Sequence, residues 1–190
     1  MARGSQEREL DFIATAKENT GHSIPEWMGI IEKANLEPKP NTILKHLKAN
    51  YDLNHLQANL LSGLYLNDGQ PVFNYERMFE KLFAGHEQWQ ASYELLKEKV
   101  QAEFDDVVFI PTKNYISIEG EKVFGCAKLT KKTIRYGLDL GDRPFAGRVQ
   151  KAKGLGAMPN ITHMIELSSI DDIDDELIAL TNQAFDRVHS

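Results

Sequence analysis

Apolar residues in the first third of the chain recur at intervals of three and four, and after Asp106 the interval shortens to two. That change of period divides the sequence into a helical part and a part that contains strands. Leu10, Ile13, Ala14 and Lys17 give a modest helical face that Thr20-Gly21 ends. Ser23-Ile24-Pro25-Glu26 has the form of a capping box. The serine oxygen accepts an amide three residues on, the glutamate reaches back, and proline suits the first turn. Trp27, Ile31 and Ala34 follow at helical spacing. Pro38-Lys39-Pro40 interrupts the chain, and Asn41 is the expected cap of a helix that turns Ile43, Leu44 and Leu47 inward. Asn54 is the expected cap of a further helix carrying Leu56, Leu60, Leu61 and Leu64, and Asn67-Asp68-Gly69-Gln70-Pro71 reads as a loop.

Two more helices are predicted next, from Tyr75 to Phe83 and along the stripe Trp89, Tyr93, Leu96 and Val100. Strands are then predicted at Val107 to Ile110, Asn114 to Ile118, Lys122 to Lys128, Thr133 to Leu140 and Thr162 to Leu167. Glu119-Gly120-Glu121 is the tight link between the second and third. Asp171-Asp172 is read as the opening of a last helix with Leu177, Leu180, Ala184 and Val188 on one stripe, its acids facing the positive end of the dipole. The expected architecture is a small helical domain, 1–69, followed by an α+β domain, 70–190. The second has an antiparallel sheet of about five strands and a closing C-terminal helix.

Composition narrows the function classes. The longest apolar run, Val107-Val108-Phe109-Ile110, is far short of the roughly 20 residues of a membrane helix. Met1 to Glu7 has no apolar core of a signal peptide, and a cytoplasmic protein with no membrane association is expected. Cys126 is the only cysteine, which excludes an internal disulfide and a thiolate zinc cluster. The net charge is −6, yet ten basic residues stand against four acidic ones between Pro111 and Lys153. This basic island is where the sequence points to an anionic partner.

Two stretches resemble known bacterial families. Thr20-Gly21-His22-Ser23 with Glu26-Trp27, then Ile43 to Lys48, then Tyr51 to Asn59 with its His55-x-x-Ala58-Asn59 run, resembles domain of unknown function 4287. Phe79 to Phe185 resembles domain of unknown function 5655. The matching elements are Leu82 to Gly85, Lys113-Asn114-Tyr115-Ile116-Ser117, Phe124, Arg135-Tyr136-Gly137-Leu138, Thr162-His163 and Ala184-Phe185. The resemblance implies a pairing of two families and no particular reaction. The second part is also similar in topology to YjbR-like α+β domains, for which DNA binding has been proposed; a shared fold does not assign that function.

Among candidate chemistries, the six histidines show no i, i+4 pair for zinc, and neither metal nor cofactor is expected. There is no Gly-x-Ser-x-Gly elbow, and the Lys153-Gly154-Leu155-Gly156 and Gly141 to Gly147 segments lack the Gly-Lys-Ser/Thr ending of a phosphate loop. Both read as flexible turns. Cys126 reads as packing on a strand, and the acids at 171–176 as a helix entry. Strand parity puts Phe124, Cys126 and Lys128 on one face, and Lys113, Tyr115, Lys128 and Arg135 on one partly open sheet surface. Lysine and arginine there would neutralise phosphates while Tyr115 stacks on a ring. His163 shares parity with Ile165 and Leu167, the core side, and joins the site only if it reaches the sheet rim. The competing reading is that lysines keep sheet edges from aggregating. Asn41 to Tyr51 and Asn54 to Leu66 have a helix-turn-helix outline, but the second helix carries no arginine or lysine.

The expected function is non-enzymatic binding of an anionic ligand, with nucleic acid as the leading candidate, at Lys113, Tyr115, Lys128, Arg135 and His163. The alternatives are an assembly module that docks a protein partner or a second copy, and an enzyme acting on a small phosphorylated molecule. The last requires Lys113, Tyr115, Arg135 and His163 to converge on one pocket.

Overall fold

The computed structural model describes residues 5–156, 158 and 160–190. Met1 to Gly4, part of the segment read for a leader, lie outside them. By internal contacts the chain forms two compact units that divide between Asn74 and Tyr75.

The helical unit contains α1 (Ser5–Thr20), α2 (Ile24–Lys33), α3 (Pro40–Asn50) and α4 (His55–Leu66). Trp27, Ile31, Ile43, Leu47, Leu61 and Leu64 form its buried centre. Ser23 and Glu26 make the capping box of α2, and Asn54 caps α4 by accepting the Gln57 amide at 2.9 Å. Asn41 does not cap α3. Pro40 is already helical and Lys39 stands at the cap, because proline's fixed φ suits the first helical position. The face of α1 is also rotated from the expected one: Glu9, Phe12 and Ala16 are buried, while Leu10 is exposed. Glu9 is drawn inward because its carboxylate accepts the backbone amides of Val72 at 2.9 Å and Phe73 at 2.8 Å. A buried carboxylate held by two amide donors is a satisfied one.

The second unit begins with α5 (Tyr75–Phe83), a short 3₁₀ turn (Glu87–Trp89) and α6 (Gln90–Glu103). Six strands follow: β1 (Val108–Pro111), β2 (Ile116–Glu119), β3 (Val123–Leu129), β4 (Ile134–Leu138), β5 (Gln150–Lys151) and β6 (His163–Leu167). They form one antiparallel sheet in the order β1-β2-β3-β4-β6-β5. The fold is α+β, as expected. The sixth strand, β5, is two residues long, which is too short to leave a period in the sequence, and it places Lys151 on a strand.

The C-terminal α7 (Asp175–His189) lies against β3 and β4. Asp171 and Asp172 do not open it; they belong to a separate 3₁₀ turn (Ile170–Asp172), and Asp174 is the cap, accepting the Leu177 amide at 2.9 Å. Helices and sheet enclose a core that includes Leu96, Ile116, Phe124, Tyr136, Ile165 and Leu177. The Tyr136 hydroxyl is buried in it, 3.0 Å from Thr181 Oγ1, which donates to the Leu177 carbonyl.

Phe124 departs from strand parity. A bulge shifts the β2–β3 register, pairing Ile118 with Gly125 but Glu119 with Val123. Phe124 therefore enters the helix-covered core, while Cys126 and Lys128 point to the other face.

Candidate functional site

Register defines what lies on that other face. Ser117, Cys126, Gly137 and Met164 stand side by side across β2, β3, β4 and β6, and Lys128, Arg135 and Glu166 form the adjacent row. The face is not open. The chain after β5 folds back over it, and Leu155 and Ile161 join Cys126 and Met164 in a small second core, with Tyr115 and Met158 packed beside them. Gly137 makes the close approach possible: a Cβ there would lie 2.5 Å from Leu155 Cδ1 and 2.6 Å from Ile161 Cγ2. The Lys153–Gly156 turn is thus pinned to the sheet.

Three of the five predicted site residues meet under this cover, and two do not. Lys128 donates from Nζ to the Gly154 carbonyl at 2.6 Å. Arg135 pairs through Nε with Glu166 Oε1 at 3.2 Å. Tyr115 packs against the same segment; a Cβ on Gly156 would be 3.4 Å from its ring. Lys113 is exposed in the turn before β2. His163 faces the opposite side of the sheet, in the row of Leu138, and is 1% exposed. Lys113, Tyr115, Arg135 and His163 do not converge, so the pocket required for a small phosphorylated substrate does not form from them.

Part of the basic island is engaged within the fold, Arg135 and Arg148 in ion pairs and Lys122 and Lys128 in bonds to backbone carbonyls. Arg148 holds Asp174 at 2.7 Å and bonds the Asp172 carbonyl. Lys122 donates to the Val188 carbonyl at 2.8 Å. Lys131 and Lys132 lie exposed at the β3–β4 turn, in keeping with solubilising lysines at a sheet margin. Cys126 is buried, and its thiol is pushed up to about 12 by that burial, which leaves it protonated and unreactive. Among the described residues no cluster of three histidine, cysteine or acidic side chains could hold a metal ion.

One part of the island remains presented to solvent in a recess. The loop from Gly141 to Val149 passes beside the β5–β6 edge and encloses a cavity of about 540 Å³. Arg143, Phe145, Lys151, Thr162 and His163 line it, with Asp142 the opposing acid. Phe145 is 54% exposed, an unusual position for a phenyl ring, and it packs on the His163 imidazole with centroids 4.9 Å apart. His163 is fixed from both nitrogens: Nε2 lies 2.8 Å from the Arg143 carbonyl and Nδ1 2.8 Å from Thr162 Oγ1. Since a carbonyl only accepts, Nε2 carries a proton toward it. Arg143 is positioned by one bond, Nη1 to Gln183 Oε1 at 2.6 Å, with further N–H groups to spare. Sequence reasoning did not single out Phe145. An exposed phenylalanine between Pro144 and Ala146 has no periodicity to reveal it.

No curated protein and no solved structure matches the chain. Two family models do match. The one described as Domain of unknown function (DUF4287) covers residues 11–66, within the helical unit. The one described as Domain of unknown function (DUF5655) covers residues 79–188, from α5 to the last turn of α7. The latter takes in both the pinned sheet face and the Phe145 recess, and it spans more than half of the chain, which therefore belongs to the DUF5655 family.

Proposed function

We propose that this protein binds single-stranded nucleic acid, with the recess around Phe145 as the contact. The observation that carries the reading is the exposed Phe145 ring, packed on His163, in a recess that two cationic side chains, Arg143 and Lys151, also line. An aromatic platform flanked by cations suits a base on the ring and phosphates on the charges. Stacking tolerates any base, so the reading implies weak sequence preference. The overall charge of −6 suits local rather than general attraction to a polyanion. Lys128 and Arg135 act here as structural residues, and Lys113 stands outside the recess.

The test is fluorescence anisotropy with labelled mixed-sequence single-stranded DNA and RNA at low salt. Phe145→Ala is expected to weaken binding by about fivefold or more, the range of one base stacked on an aromatic ring. Lys151→Ala is expected to lower the slope of log K against log salt by about one phosphate contact. Absence of binding at low salt, or affinity unchanged in Phe145→Ala, overturns the proposal.

A further inference from the structure

A second cavity lies on the pinned face of the sheet, and its chemistry is opposite to that of the recess. Its floor is the end of β2 and the start of β3, where the bulge sets Glu119 against Val123. Tyr115, Met158 and Ile161 form apolar walls, and the volume is about 340 Å³. That is the small end of the range for small-molecule sites. Parts of the cover are held in place in advance of any ligand: Leu155 and Ile161 are buried against Cys126 and Met164, and Lys128 ties down the Gly154 carbonyl. Such preorganisation lowers the cost of binding.

Among the described residues Glu119 is the one carboxylate lining this cavity, and no lysine, arginine or histidine lines it. Among the described residues none of these forms an ion pair with Glu119 either. Ser117, buried on the floor, donates to Glu119 Oε1 at 2.7 Å. That bond sets the orientation of the carboxylate and leaves Oε2 for another donor. A half-buried carboxylate without a counter-charge, beside a tyrosine ring and aliphatic walls, is a receptor for a cation with an apolar body. We infer that this cavity binds a small primary amine, its ammonium on Glu119 Oε2 and its apolar portion against Tyr115, Val123 and Ile161. β-bulges recur where a strand must re-aim a side chain at a site, and this one sets the Glu119–Val123 pairing.

The full chain, labelled with ¹⁵N, is titrated with benzylamine to about 20 mM, a range that detects millimolar dissociation constants. Benzyl alcohol and benzoate serve as probes of equal shape. Saturable amide shifts centred on Tyr115, Ser117, Glu119 and Val123 are expected with benzylamine. Affinity for benzyl alcohol is expected to be lower by roughly tenfold or more, since a hydrogen bond between charged groups is lost, and benzoate is expected to give no response there. Glu119→Gln is expected to reduce benzylamine affinity by about the same factor while keeping the wild-type spectrum elsewhere. No saturable shift at these residues, an equal response to the alcohol, or unchanged affinity in a folded Glu119→Gln protein overturns the inference. The comparison of the three probes on the wild-type chain decides the matter even if that variant does not fold. A loss of oligonucleotide binding in Phe145→Ala is read separately and has no bearing on it.

Discussion

Lys128 Nζ reaches the carbonyl oxygen of Gly154 at 2.6 Å, joining the third strand to a turn twenty-six residues further on. A residue that looks on the sequence like part of a ligand-binding surface is in the structure the fastening of the segment that covers it. Removing the ammonium while keeping the stem, as in Lys128→Met, is expected to cost about 0.5–1.5 kcal/mol of stability. The covering turn then opens more often. Cys126 lies directly under that cover and its thiol is protonated when buried, so alkylation by iodoacetamide requires opening. The labelling rate at about pH 8 is expected to rise roughly fivefold in Lys128→Met, the population change that about 1 kcal/mol produces. An unchanged rate would show that Lys128 does not fasten the turn.

Gly137 is needed for its lack of a side chain. A Cβ there meets Leu155 at 2.5 Å, Ile161 at 2.6 Å and Cys126 Sγ at 2.9 Å. Gly137→Ala is expected to lower stability by about 1–3 kcal/mol through overpacking, read as a lower urea midpoint with little change in slope. Because Leu155 is the nearest obstacle, Gly137→Ala combined with Leu155→Ala is expected to lose less than the sum of the two single losses. Strict additivity would mean that the two positions do not press on each other.

Asp174 links acid stability to the start of α7. The Leu177 amide, and then Arg148, hold its carboxyl below the usual carboxylate range. A folded-state pKa depressed below the unfolded value contributes stability that is present above the unfolded pKa. It is lost as pH falls through the folded one. The melting temperature of the wild type is therefore expected to fall as pH drops below about 4. Asp174→Asn keeps a capping residue but loses the charge. Its melting temperature is expected to be lower at neutral pH and to decline less steeply in acid, with Asp172, held by the Ser168 and Ser169 amides and Arg148, supplying part of the remaining slope. Parallel acid profiles in circular dichroism melts would refute the assignment.

What could be read from the sequence followed from local chemistry. The Ser23–Glu26 box and the Asn54 cap depend on residues three apart, and the β2 to β4 meander on alternation within each strand. The reading failed where distant parts of the chain decide the outcome. Glu9 is buried because amides more than sixty residues away need an acceptor. Phe124 changes face because a bulge breaks the period of two that parity assumes. The sheet face appeared open because a lone Leu155 between two glycines has no pattern to announce that it will cover Gly137. Of the candidate site, the island of charge was visible in the sequence. Which of its members are already satisfied, and that an unpatterned Phe145 sits among the rest, required the fold.

The bonds from Glu9 to the amides of Val72 and Phe73 bear on where the helical unit can be cut. The family match runs from 11 to 66 and omits both ends of this latch. A fragment confined to those limits would retain the Trp27–Leu61 centre but forfeit the acceptor that closes its perimeter. The compact unit is therefore wider than the matched segment, and the residues of this latch lie on either side of that match.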